Sequence, residues 1–143
     1  MIDAGYEVVS VARRKPDWSH PALHAAEADL IDAKATGQVA ADLARRFPIS
    51  AVVHNAGIIR PNLLPDVRQG DLSDLAQLHL GAAILLVQAA LPGMRERHYG
   101  RVVLISSRAA LGLPTRTVYS ATKAGMIGMA RTWALELHPT ALP

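Results

Sequence analysis

The chain contains no cysteine. That excludes a disulfide framework, a thiolate metal site and a cysteine nucleophile, without fixing the cellular compartment. Aromatic residues are scarce, with two Trp, three Tyr and one Phe among 143 residues, while alanine is plentiful, a balance suited to helix-rich α/β layers. The longest apolar run, Leu80 to Leu91, holds Gln88 and stops at Pro92, short of the roughly 20 residues that span a bilayer. It reads as a buried helix, and no membrane partner is expected. Long runs of one charge are missing too. The formal charge is +3, the basic residues are dispersed or paired, as at Arg13-Arg14 and Arg45-Arg46, and no nucleic-acid recognition motif accompanies them. The opening Met-Ile-Asp-Ala-Gly carries neither a basic leader nor a secretory core, so a cytoplasmic location is the expectation. Half of the residues are apolar and 19% charged, the composition of one globular domain with a sizeable core.

What is present is organised around Arg101 to His138. Arg101-Val-Val-Leu-Ile-Ser-Ser107 reads as a buried parallel strand, a short β-branched run closed by small polar residues. After a Gly/Pro-punctuated loop, Thr117 to Leu137 has no proline and carries apolar residues at helical spacing. On such a helix Tyr119 and Lys123 stand four apart on one face. A free phenol, with a pKa near 10, is a poor base at neutral pH, but a cation beside it favours the phenolate. A shift of about three units requires about 4 kcal/mol of differential interaction. A phenol so tuned exchanges a proton with a substrate oxygen, and a serine at the strand end would hold that oxygen. The same spacing also describes an ordinary surface Tyr/Lys pair, so its meaning depends on context.

Four ordered segments supply that context: Asp29-Leu30 after a strand, His54-Asn-Ala-Gly57 after the next, Gly100-Arg-Val-Val-Leu-Ile-Ser-Ser107, and Tyr119-x-x-x-Lys123. With Gln88-Ala-Ala-Leu-Pro92 and Trp133-Ala-Leu-Glu-Leu137, they make the chain resemble, over nearly its whole length, the single-domain NAD(P)-dependent branch of the short-chain dehydrogenase/reductase family. The resemblance implies an α/β fold of Rossmann type, a doubly wound parallel sheet, with residues 1–143 as one partial domain. It implies an oxidoreductase passing a hydride between NADP(H) and a small-molecule carbonyl or alcohol. Tyr119 would be the general acid/base, Lys123 would favour its ionised form and bind the nicotinamide ribose, and Ser107 would orient the substrate oxygen. Aligned from the strand, the family's serine falls on Ser107; counted back thirteen residues from Tyr119, it falls on Ser106. The strand is the better guide, because it positions the hydroxyl whereas loops absorb deletions. The implied full-length parent is a homodimer or homotetramer assembled through helices 71–97 and 117–138.

Residues 1–5 look like the end of a helix capped by Gly5. Strands are expected over 6–12, 23–28 and 49–53, and an amphipathic helix over 33–47, stopped by Pro48. Loops fill 15–21 and 58–70, after which Asp71 or Ser73 would cap the next helix. The resemblance places the cofactor at the strand ends. Arg13 follows a strand where an acid would accept from the ribose 2′-hydroxyl and an Arg pairs with a 2′-phosphate, which favours NADP over NAD. Asp29 and Leu30 would approach the adenine, although Asp29 equally suits a cap on the following turn. Asn55, Ala56 and Gly57 would lie beside the cofactor, where small residues allow close backbone approach. No metal site is expected. Two histidines depart from the family. His54 stands where Asn is usual, and His79, thirteen residues before Pro92, stands where an Asn supports a water beside the catalytic lysine. An imidazole there either joins a proton relay or serves structure alone.

The family's opening strand and its Gly-x-x-x-Gly-x-Gly turn, which holds the cofactor pyrophosphate, are not found. His138-Pro-Thr-Ala-Leu-Pro143 also departs from family sequence. The expectation is a fragment lacking the first βα unit and the last strands, through a mis-set start and a truncated or frameshifted end. In the strand order 3-2-1-4-5-6 the lost strand is central, so two unpaired edges should remain at the middle of the sheet. A second reading is therefore a non-catalytic fragment or pseudoenzyme that binds a partner through its long helices. A sugar-nucleotide epimerase would share Tyr-x-x-x-Lys but not the other segments.

Overall fold

The computed structural model describes residues 1–137; the divergent segment from His138 lies outside them. Two pairs of parallel strands carry the fold. β1 (Val8–Ala12) pairs with β2 (Leu23–Glu27), and β3 (Ala51–His54) pairs with β4 (Arg101–Leu104). The first three strands agree with the expected ones to within two residues, whereas the buried strand expected over 101–107 ends at Leu104 and has no buried residue. Gly5 caps a short 3-10 turn at Ile2–Ala4 in the left-handed region, φ 83°, where glycine carries no Cβ penalty.

Among the described residues the two pairs are not joined. β1 and β3 line a common cleft of about 780 Å³. Val8 donates to Ala22 and Ala12 accepts from Ala28, while Ser50 and His54 accept from Arg101 and Ile105. In a parallel ladder alternate residues turn both backbone groups to the same side. The N–H and C=O groups of Val9, Val11, Ala51 and Val53 therefore point into the cleft. The open edges match the sequence expectation; the sheet itself is two halves. One face is also uncovered: Val53 and Val103, partners in the β3–β4 ladder, are each 45% exposed.

The helices supply the packing. α1 (Ala33–Arg46) starts at Asp32, whose side chain accepts from the Ala35 N–H at 3.0 Å, and ends ahead of Pro48. Its buried residues Thr36, Ala40 and Leu43 fall at helical spacing and face α3 (Ala82–Glu96). α2 (Gln69–Ala76), a π-helical turn (Gln77–Gly81) and α3 form one run of 28 residues. By length and composition that run is apolar enough to cross a membrane, yet it buries Leu75, Leu78, Ala82, Ala83 and Val87 and packs against α1, β3 and α4 (Thr117–Glu136). It is a core helix, as its sequence suggested. Leu30, Leu78 and Ala82 form a buried cluster with Val11, Ile31, Ala56 and Ile58 against it, so this helix reaches both strand pairs.

The start of α2 differs from the sequence reading. Arg68 is its N-cap residue, and neither Asp71 nor Ser73 caps it. Asp71 is buried, and its carboxylate accepts from Arg68 at 3.2 Å and from Arg60 at 2.8 Å. Arg60 also reaches Asp74 at 2.6 Å. The hydrogen bond from Arg68, and after it that from Arg60, holds the Asp71 carboxyl below the usual range. The network pins the 58–68 loop to the helix, which a local capping rule does not anticipate.

The cleft carries a measurable consequence. By hydrogen exchange followed by NMR, the amides of Val9, Val11, Ala51 and Val53 are expected to exchange much faster than those of Ser10 and Val52, which point into the ladders. Equal protection of the two sets would refute the open-edge description.

Candidate active site

β4 and α4 are braced against each other from both sides. The Lys123 ammonium donates to the Ile105 carbonyl at 2.7 Å, and the Ser106 hydroxyl donates to the Lys123 carbonyl at 2.8 Å. Lys123 is 3% exposed, and burial pushes its pKa below that of a free lysine. Its Nζ lies 5.7 Å from the centroid of the Tyr119 ring, one helical turn away, as the spacing requires. Tyr119 itself is half-buried.

The two serines differ. The Ser106 hydrogen is committed to the helix. Ser107 is the N-cap residue of a 3-10 turn (Arg108–Leu111), and its oxygen accepts from the Ala109 N–H at 3.2 Å. Among the described residues its own hydrogen has no assigned acceptor. The loop leading into α4 carries strain: Thr115, β-branched, has φ 64°, a conformation costly for such a residue. It is held there by the Asn62 N–H on its carbonyl at 3.1 Å and by Arg116 on its hydroxyl at 2.6 Å.

Two buried histidines stand behind the lysine. His54 Nε2 donates to the Leu78 carbonyl at 3.0 Å, beside the π turn. His79 lies within that turn, 0% exposed, with Nδ1 2.8 Å from Thr122 Oγ1 and its ring edge-on to Tyr119 at 5.4 Å. Burial, and then the charges of Lys123 and His54, push His79 down to about 4. Burial is also the main cause that lowers His54. Thr122 was not among the expected site residues. Its signal was available: it lies inside Tyr119-x-x-x-Lys123, four residues after the buried Val118. His54 was noted only as a departure, and the part played by the Ile105 carbonyl is invisible to side-chain reading.

Six of the expected cofactor residues lie together in a cleft that Tyr119 and Lys123 do not line. Arg13, Asp29, Leu30, Asn55, Ala56 and Gly57 all line the cleft, at or just beyond the carboxyl ends of β1, β2 and β3, where open α/β sheets bind ligands. Arg13, Asn55 and Gly57 are exposed. Asp29 does make the local turn that its rival reading required, accepting from the Ile31 N–H at 3.0 Å. A Cβ on Gly57 would stand 3.1 Å from His79 Nε2 and 3.7 Å from Lys123 Nζ. Glycine keeps that space clear at the point where the cleft approaches the lysine. These residues fit a dinucleotide, with a basic side chain at one end and small residues at the other.

Parallel strands packed on helices, with a cleft between β1 and β3, place the chain among the α/β proteins. A family model described as short chain dehydrogenase matches residues 1–142, and the chain belongs to that family. It is 38% identical over 90 residues to the 3-oxoacyl-[acyl-carrier-protein] reductase FabG of Thermotoga maritima, a match covering 62% of this chain and 37% of that one. A short-chain dehydrogenase structure from Streptomyces avermitilis superposes with a TM-score of 0.85 at 32% identity, over 96% of this chain and 54% of that one. A structure from Beutenbergia cavernae, with NADP bound at low occupancy, gives a TM-score of 0.76 at 30% identity, over 80% of this chain and 46% of that one. The matched portion is thus about half or less of these relatives.

The buried histidines set an acid limit on stability. Between the ordinary value of 6.5 and about 4, the unfolded chain binds a proton that folded His79 refuses. Stability is therefore intact above pH 6.5 and falls as pH drops through that window, by up to about 1.4 kcal/mol per unit for one such group. His54 acts with the same sign. Urea unfolding at several pH values is expected to show this fall, and His79→Asn should remove one proton's share of it.

Proposed function

We propose that the chain carries the machinery of an NADP(H)-dependent oxidoreductase acting on a small-molecule carbonyl or alcohol. The observation that carries this reading is the joining of two groups of residues. The cofactor candidates share one cleft, and Gly57, at its end, keeps clear the space beside the Lys123 ammonium. A bound nicotinamide would supply or accept the hydride. In the reducing direction Tyr119 gives its phenolic proton to the carbonyl oxygen as the carbon receives the hydride, and the alcohol results. Lys123, within a helical turn, favours the phenolate that remains and binds the nicotinamide ribose. Ser107, whose hydrogen is not spent within the fold, donates to the substrate oxygen and orients it; Ser106 is occupied in bracing the helix. Arg13 pairs with the 2′-phosphate of the adenosine ribose, which favours NADP over NAD, while Asp29 and Leu30 border the adenine and Asn55 and Ala56 the nicotinamide half. Residues 1–143 act as one partial domain of a cytoplasmic enzyme. Assembly of a longer parent uses the long helices, on which Ile84 and Ile127 are each 37% exposed.

The open cleft favours a second reading. A chain with four backbone positions unpaired at the sheet centre acts as a non-catalytic binding module, with its site side chains retained from a catalyst.

Titration of the purified chain with NADPH, followed by nicotinamide fluorescence and circular dichroism, separates the two. Saturable binding to a folded chain is expected, weakened about threefold to tenfold by Arg13→Ala with NADH binding unchanged, as befits an exposed charge-assisted contact. Turnover of a carbonyl panel should fall at least about a hundredfold in Tyr119→Phe. Absence of NADPH binding would remove the enzyme reading for this chain. Binding without turnover would favour the second.

A further inference from the structure

The contacts around Thr122 bear on the His79 tautomer. Thr122 Oγ1 lies 3.1 Å from the Val118 carbonyl and 3.0 Å from the Tyr119 carbonyl. With its single hydrogen on one of these carbonyls, which only accept, Oγ1 receives the 2.8 Å contact from the ring Nδ1–H of His79. Neutral His79 consequently presents a bare lone pair at Nε2. That atom is buried and meets no protein partner among the described residues. A buried acceptor left unpaired carries its full desolvation penalty, so a native fold supplies a donor.

Few donors are in reach. His54 spends its Nε2–H on the Leu78 carbonyl. The Lys123 ammonium has three hydrogens. One goes to Ile105, and the other partner found for it is the weakly accepting Met126 sulfur at 3.5 Å. Lys123 Nζ and His79 Nε2 border the same small space, the one that a side chain on Gly57 would fill. An acceptor short of a donor and a donor short of an acceptor thus face one gap.

We propose that His79 is a positioning residue for Lys123: its Nε2 lone pair is the second acceptor station of the ammonium, reached directly across the Gly57 space. The inference rests on the role given to Lys123 above. The ammonium moves between Ile105 and His79 as the tyrosine and ribose claim its remaining hydrogens. His79 does not relay a proton. The chain Lys123–His79–Thr122 ends on helix carbonyls, which have no hydrogen to pass on. A side-chain amide can therefore replace the imidazole, whereas an apolar side chain cannot. The π turn around His79 places this ring, a use such turns commonly serve.

The test is NMR on the whole chain with nitrogen-labelled lysine and histidine. In the unsubstituted protein, His79 should show a protonated Nδ1 and a bare Nε2 above pH 5; a protonated Nε2 would overturn the proposal without any variant. The Lys123 signal, assigned by its loss in Lys123→Gln, is titrated in His79→Asn, His79→Gln and His79→Leu. The lysine pKa should fall by about one unit in His79→Leu, a tenfold loss of proton affinity. At least one amide variant should retain most of the original value. An unchanged titration in His79→Leu, or an equal fall in all three, would overturn it. Circular dichroism checks that each variant folds, and the tautomer measurement decides alone should His79→Leu not fold. Failure of NADPH to bind would remove the cofactor reading and leave this lysine titration untouched, so the two failures are told apart.

Discussion

Burying the ammonium of Lys123 is the constraint from which the arrangement of the site follows. An unpaired charge inside a protein is expensive, and among the described residues no carboxylate pairs with this one. Its compensation is a backbone carbonyl, Ile105, which requires β4 to end where α4 begins its second turn. The Ser106 hydroxyl on the Lys123 carbonyl closes the same junction from the other side. Two further positive charges could not be tolerated there, so His54 and His79 are held neutral by burial and by the lysine itself. Gly57 completes the set: a Cβ there would stand 3.7 Å from the ammonium, so glycine leaves that side uncrowded.

The sheet shows the opposite condition. At the β4–α4 junction Lys123 and Ser106 each reach across to a carbonyl of the other element, whereas at the sheet centre four residues turn their backbone groups into the cleft. The two halves are nevertheless held to one helical run: Leu78 and Ala82 pack with Val11 from one half and with Ala56 beside the other. Arg13, Asp29 and Leu30 stand on one bank, and Asn55, Ala56 and Gly57 on the other. The gap in the sheet and the candidate cofactor groove are thus one continuous space, and a ligand touching all six residues contacts both halves.

Much of this was legible in the chain itself. Short β-branched runs closed by small residues marked the strands, because a strand buried in a parallel layer needs apolar character on both faces. The period of Thr36, Ala40 and Leu43 marked α1, and Pro48 its end. The Tyr119–Lys123 pairing followed from the pitch of a helix. The start of α2 was not legible. Asp71 looked like a cap, yet its carboxylate answers Arg60 and Arg68, which a loop brings to it from outside the helix.

Local rules of spacing and propensity marked the elements, and the resemblance of the ordered motifs to a known family supplied the candidate residues. The tertiary structure alone decided how those residues are placed: that Ser106 braces the helix while Ser107 caps a turn, that His79 meets Thr122, and that the open edges border one cleft. The physical reason is common to all three. Each depends on contacts between separate elements, and those of Ser106 with Lys123 and of His79 with Thr122 join residues 17 and 43 apart in the chain. No sequence pattern of a few residues can register a contact over that distance.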